Sequence, residues 1–233
     1  MVGSVTDGAN EGAIDVVANL AKVQARIAAA AARSGRAPSD VTLVAVTKTV
    51  SPPVMRAVLE AGVVDLGENR AQEMLAKVEP LADLELRWHF VGRLQRNKVR
   101  ALAPHVACWQ SVDRDPLARS VAQHAPGAHV FIEVNTASEP QKGGCAPPDT
   151  PALVAVAQEL GLWVEGLMTV PPQREDPRPH FDVLTEIASG LGLTGLSMGM
   201  TDDFEVAIEH GATVVRVGRA IFGPRRDLEN MER

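Results

Sequence analysis

The sequence predicts an α/β fold: a single (β/α)8 barrel of the TIM type preceded by an N-terminal helix. Short apolar runs alternate with amphipathic helical stretches along nearly the whole chain, and strict alternation implies parallel strands joined by right-handed crossovers. The runs number eight. A length of 233 residues suits one barrel better than two ordinary domains. A doubly wound open sheet with extra strands has the same local pattern, and the count of eight favours closure.

The elements follow in order. Residues 1–10 read as a polar leader. Residues 11–33 read as one amphipathic helix, because Ile14, Val17, Leu20, Val23 and Ile27 recur at three- and four-residue steps. Gly35 and Pro38 stop it. Strands are predicted at 41–47, 63–66, 87–91, 106–112, 129–134, 163–168, 194–197 and 213–217. Helices are predicted between them at 53–61, 69–79, 95–102, 115–123, 151–160, 180–190 and 202–210. The stretch from Pro171 to Pro179 reads as a loop. One barrel domain thus spans 11–225, and 226–233 form a tail.

Composition bounds the function. Hydrophobic residues at 45% and charged residues at 22% are ordinary for a globular domain. A net charge of -6 with pI near 5.5 argues against a surface built for nucleic acid. No apolar run approaches the roughly 18 residues of a membrane span, and the first residues lack the order of a secretion signal. The chain reads as cytoplasmic, with no membrane partner. Cys108 and Cys145 are too few for a disulfide framework and are expected to be free thiols. The histidines show no metal-ligand spacing. His89, in the third strand, reads as a hydrogen-bonded structural residue near the barrel interior.

Two features carry chemistry. Lys48 ends the first strand, just before Pro52 and Pro53 open a helix. In parallel barrels the C-terminal strand ends carry the active loops. Val44, Val46 and Lys48 share one face of that strand; if the face points inward, desolvation at the mouth favours a neutral amine able to attack an aldehyde. The plainer alternative is a surface lysine closing a strand. The second feature is a phosphate cradle built by the loops after strands seven and eight. After strand seven come Ser197, Met198, Gly199, Met200 and Thr201, with Thr201 placed to cap a helix starting at Asp202. After strand eight, Gly218 opens a short helix whose first amides point at the same spot. Asp202 and Asp203 must face away, since they would repel a dianion. Ordinary turn glycines and caps are the alternative.

The segments VAVTKTVSPP (44–53), LGENRAQE (66–73), WHFVGRLQRNK (88–98), EVNTASEPQKGG (133–144), GLMTVPP (166–172) and LSMGMTDDFEVAIEHGATVVRVGRAIFG (196–223) resemble the pyridoxal phosphate homeostasis protein family. The resemblance runs over about residues 40–225. It implies a barrel like the N-terminal domain of bacterial alanine racemase, pyridoxal 5′-phosphate (PLP) as cofactor, and no established catalytic turnover. By position it implies that Lys48 holds PLP as a Schiff base, that Thr201 and Gly218 contact its phosphate, and that Arg216 lies near its pyridine nitrogen. A cation there disfavours the pyridinium form and makes the ring a poorer carbanion sink. An arginine paired with a barrel carboxylate is the alternative. Ser197 and Asn69 complete the candidate cofactor set, Asn69 being either a cofactor-side residue or the N-cap of the second helix. Two departures stand out. Arg219 follows Gly218 where relatives often have threonine, which removes a hydroxyl, adds a cation and makes Arg219 a candidate phosphate contact. Arg70 stands where many relatives have tyrosine.

The implied function is a non-catalytic PLP carrier, monomeric, whose partners are PLP and apo PLP-dependent enzymes. A PLP-dependent amino-acid racemase is the alternative, but two-base racemisation needs an acid/base group on each face, and the tyrosine that alanine racemase uses has no counterpart in a chain without tyrosine. A cofactor-free Schiff-base aldolase usually places its lysine on a later strand.

Overall fold

The computed structural model describes residues 15–137 and 143–224. The predicted leader 1–10, positions 11–14 of the first helix and the tail 226–233 lie outside the described residues. Among the described residues, eight parallel strands close into a ring in chain order. They are β1 (Thr42–Val46), β2 (Asp65–Glu68), β3 (Arg87–Phe90), β4 (Val106–Val112), β5 (His129–Glu133), β6 (Trp163–Met168), β7 (Gly195–Ser197) and β8 (Val214–Val217). The helices are α1 (Val16–Arg33), α2 (Pro52–Glu60), α3 (Ala71–Val78), α4 (Arg96–Leu102), α5 (Asp115–His124), α6 (Thr150–Glu159), α7 (Arg178–Gly190), α8 (Phe204–Glu209) and α9 (Arg219–Phe222). β1 pairs with β2 on one side and β8 on the other, so the sheet is closed and not doubly wound.

Strand parity sorts the core. Val44, Cys108, Phe131, Met168 and Val214 pack together as one small cluster. Alternate positions such as Ala45, Leu66, Val130, Ile132, Leu167 and Val215 join the larger cluster with the helices. A period of two therefore separates interior from helix-facing residues. At β6 and β7 the wall is drawn tight: a Cβ on Gly166 would lie 1.8 Å from the Gly195 carbonyl oxygen. Only glycine permits that approach.

β2 lies further along the chain than its apolar run predicts, at Asp65–Glu68 instead of 63–66. Pairing decides this: Leu66 and Gly67 register with Ala45 and Val46, and Glu68 with Phe90. The acids can enter the wall because each is partnered, Asp65 by Arg87 and His89, Glu68 by Thr47 and Lys77. The loop predicted from Pro171 to Pro179 occupies 169–177, with Pro171 and Pro172 buried, and gives way to α7 at Arg178. Cys108 and Cys145 are both free thiols.

α1 begins where Asp15 accepts the Ala18 amide at 2.9 Å, and Gly35 at φ +68° lets the chain turn after it. Its stripe of Leu20, Val23, Ile27, Ala30 and Ala31 is buried. The helix packs against α8 and α9 beside the β1–β8 seam. Arg26 forks onto Glu205 at 2.9 and 2.7 Å and lies 4.5 Å over the Phe204 ring.

If this helix supports the seam by packing, Leu20→Ala will destabilise the protein by about 2–4 kcal/mol, the cost of a core cavity. Arg26→Ala, removing a half-exposed pair, will cost about 1 kcal/mol or less. Urea unfolding of the two variants checks the order; an equal or reversed cost would assign the support to the ion pair.

Candidate functional site

The C-terminal rim of the barrel collects the candidate residues, and the seam decides which of them meet. β1 runs parallel to β8 with Thr42 opposite Val214 and Ala45 opposite Val217. Val46 therefore abuts Gly218, and a Cβ on Gly218 would lie 3.0 Å from the Val46 carbonyl oxygen. Lys48 is half-buried two residues further, in a turn closed by the Val50 amide on the Thr47 carbonyl at 2.9 Å. The first-strand lysine and the eighth-strand loop thus share one end of the molecule.

The loops after β7 and β8 are themselves joined. The Arg216 amide donates to the Gly199 carbonyl at 2.9 Å, and the Ala220 amide donates to Thr201 Oγ1 at 3.3 Å. Gly199 has φ +94°, where a side chain is strained, and a Cβ there would meet Ala207 Cβ at 2.6 Å. Thr201 does not cap α8 as its position predicts; that helix starts at Phe204 with Asp203 in the N-cap position. The Thr201 hydroxyl instead bridges to the β8 loop. Asp202 faces outward onto Arg219, so the Arg219 guanidinium is a surface group paired with an exposed carboxylate. Asp203 does not face away: it folds back to accept the Met200 amide at 2.5 Å and is half-buried. Burial raises its carboxyl above the usual range, while the Met200 amide and Arg216 act to lower it.

Arg216 is the buried cation of the site, 4% exposed. It donates to Ser197 Oγ at 2.6 Å and to the Thr169 carbonyl at 2.8 Å. Burial pulls its pKa down to about 10 against Glu133 and Asp203, which leaves it charged at neutral pH. The Ser197 hydroxyl in turn donates to Gln110 Oε1 at 2.6 Å. Gln110 Nε2 lies 2.8 Å from His89 Nδ1, and His89 Nε2 lies 2.8 Å from Asp65. A polar chain therefore threads the barrel from Arg216 to Asp65, with each buried group partnered, as a low-dielectric interior requires. His89 has the structural, hydrogen-bonded role its strand position suggests.

Asn69 is set apart. Arg70, not Asn69, holds the N-cap position of α3, because the strand shift of β2 delays the helix. Asn69 lies under Gly92, and its Oδ1 is buried without a hydrogen-bond partner among the described residues. It lines a cavity of about 680 Å³ with Arg70, Phe90, Arg93, Lys98 and Arg114. The chain is acidic overall, so this basic flank of the mouth offers local attraction to an anion.

Sequence reasoning missed several site residues. Gln110 sits at the parity of Cys108 in β4, and a lone amide in an apolar strand is the signal that marks it. Glu133 ends β5 beside Arg216. Burial pushes its carboxyl up to about 7, Asp113 adds to the rise, and Arg216, Arg93 and Arg114 oppose it. Lys77 and Glu68 gave no signal, since a helix lysine and a turn glutamate read as surface residues.

The arrangement can hold an anion at the joined β7 and β8 loops, set a cation between that anion and the interior, and present an amine across the seam. The family profile described as alanine racemase, N-terminal domain, matches residues 18–226. A pyridoxal phosphate homeostasis protein of Pseudomonas aeruginosa is 44% identical over 220 residues, covering 90% of this chain and 96% of that one. A solved protein of Bifidobacterium adolescentis, described as unknown, superposes with TM-score 0.83 at 36% identity, covering 89% of this chain and 94% of its own. PipY of Synechococcus elongatus, solved with PLP bound, superposes with TM-score 0.78 at 32% identity, covering 89% of this chain and 100% of its own.

The Glu133 carboxyl yields a signed prediction. Its folded pKa near 7 lies above the unfolded value of about 4.3, so the folded state prefers the protonated form and this group costs stability progressively as pH rises from about 4.5 to 7. Glu133→Gln removes the titration. The variant is expected to gain melting temperature over the parent at pH 8 and to lose that advantage by pH 4.5; a pH-independent difference would contradict it.

Proposed function

The chain belongs to the alanine racemase N-terminal domain family and, within it, to the pyridoxal phosphate homeostasis proteins, and on that premise we propose that it binds PLP covalently through Lys48. The observation that carries this reading is the β1–β8 register, which sets Val46, two residues before Lys48, against Gly218. The donor set fits the group. Thr201 and the backbone at Gly218 answer a phosphate, as loops after strands seven and eight do in this architecture. Arg216 is assigned to the ring nitrogen, its guanidinium held by the Ser197 hydroxyl. Asn69 and Arg219 are assigned the outer edge of the site, Asn69 toward the basic cavity and Arg219 as a cation that must leave Asp202 to reach a phosphate.

When bound, PLP supplies an aldehyde that condenses with the Lys48 amine: a C=N link forms, and the aldehyde oxygen leaves with two protons as water. The residues of the chain bind, orient and shield. Arg216, charged at neutral pH, disfavours protonation of the ring nitrogen and keeps the ring a weak electron sink. The function we propose is PLP homeostasis, with the barrel over 11–225 acting as a monomer that holds PLP for apo PLP-dependent enzymes. Relatives at 37–44% identity carry the name of a homeostasis protein and not of an enzyme. A cytoplasmic setting accords with the free thiols; no described helix is long and apolar enough to cross a membrane.

Titration with PLP followed by visible absorption tests the assignment. Lys48→Ala is expected to abolish the absorption of the C=N link and its capture by borohydride, with little change in melting temperature, because a rim side chain adds little packing. Retained capture would move the attachment to another lysine. Arg216→Ala is expected to weaken binding roughly tenfold or more, in line with loss of one charge-assisted contact; an unchanged affinity and spectrum would remove Arg216 from the ring.

A further inference from the structure

A buried ion cluster lies directly beneath the Lys48 turn, and nothing in the cofactor site uses it. Lys77 on α3 is 6% exposed, yet its Nζ donates three hydrogen bonds: to the Thr47 carbonyl at 2.8 Å, to Glu68 Oε1 at 2.7 Å and to Glu73 Oε1 at 2.9 Å. The Thr47 hydroxyl donates to the same Glu68 oxygen at 2.6 Å, and the Thr47 amide reaches the Gly67 carbonyl at 2.9 Å. On the far side of Lys48, the Thr49 amide donates to Glu73 Oε1, and the Thr49 hydroxyl donates to the Lys48 carbonyl at 2.6 Å. Thr49 is the non-glycine residue with positive φ among the described residues, at 65°.

These facts converge on Lys48. A β-branched residue in the left-handed region is strained and persists only where its surroundings over-determine it. Here the over-determination comes from Glu73, which takes the Thr49 amide, and from Lys77, which holds Glu73 and Thr47 together. Burying a lysine with two carboxylates is a poor route to stability, since apolar packing of similar volume serves as well. Its effect is geometric. The backbone before Lys48 and the backbone after it are both tied to one ammonium group, and Lys48 is the residue between the ties.

We propose that Lys77, acting through Glu68 and Glu73, is the positioning residue for Lys48: the cluster holds the turn so that the Lys48 amine meets an aldehyde bound in the mouth. The inference rests on the reading of Lys48 as the attachment point. Its consequence is selective. Covalent attachment depends on where the amine stands, whereas noncovalent recognition of ring and phosphate depends on the loops after β7 and β8, to which the cluster makes no hydrogen bond among the described residues.

The test compares PLP with 4′-deoxypyridoxine 5′-phosphate, which has the ring and phosphate but no aldehyde. Lys77→Met strands two carboxylates and can unfold, so half-buried Glu73 carries the measurement. Glu73→Ala is expected to slow covalent attachment of PLP by about tenfold or more while changing the affinity for the deoxy analogue by less than about twofold, the signature of misplaced reacting groups. Glu73→Gln keeps an acceptor for the Thr49 amide and is expected to recover most of the rate. Equal losses for both ligands in Glu73→Ala, no loss for either, or no recovery in Glu73→Gln would each overturn the positioning role. Lys48→Ala is measured in parallel. Persisting attachment there would sink the Lys48 reading itself, a result distinguishable from failure of the cluster.

Discussion

Pairing of β1 with β8 closes the sheet, and the site depends on that closure. Neither strand is informative alone: Thr42–Val46 is an apolar run with a lysine beyond it, and Val214–Val217 is an apolar run interrupted by arginine. Set in parallel register they place the Lys48 turn, the Gly218 loop and the Arg216 side chain on one rim. A shift of one residue would exchange interior and helix-facing positions along β8 and turn Arg216 out toward the helices. The N-terminal helix belongs to the same constraint, because its buried stripe covers α8 and α9 beside the seam.

Closure also creates an interior that is not wholly apolar. Arg216, Ser197, Gln110, His89 and Asp65 satisfy one another in series across it. Five residues from five strands must agree in register for that series to exist, so the polar chain specifies the barrel as well as supporting the cation at its mouth. On the rim the same logic recurs in the Lys77 cluster, where charge is buried to hold a backbone turn.

Much of this was legible. The eight strands and seven crossover helices lie close to where the pattern puts them, because short apolar runs mark the strands and three- and four-residue apolar spacing marks the helices. The exceptions share a cause. β2 slides onto Glu68, Thr201 gives up its cap, and Asn69 yields the N-cap position to Arg70. Glu68 and Thr201 are polar residues that signal a turn by themselves yet have found partners distant in the chain, and the β2 shift that Glu68 sets carries Asn69 out of the N-cap position; partnered polar groups obey packing and not local propensity.

The sequence by itself determined the class of fold, the order of its elements, the positions of the lysine and glycine loops on which the proposed site rests, and the family. Those properties reside in short segments, through periodicity, turn chemistry and motif spacing. Only the tertiary structure decided which residues stand together: that Arg219 turns outward to Asp202, that Asp203 turns inward, that Glu133 is buried enough to titrate near pH 7, and that Lys77 underlies Lys48. Desolvation and hydrogen-bond partnership arise between segments far apart in the chain, so no local pattern encodes them.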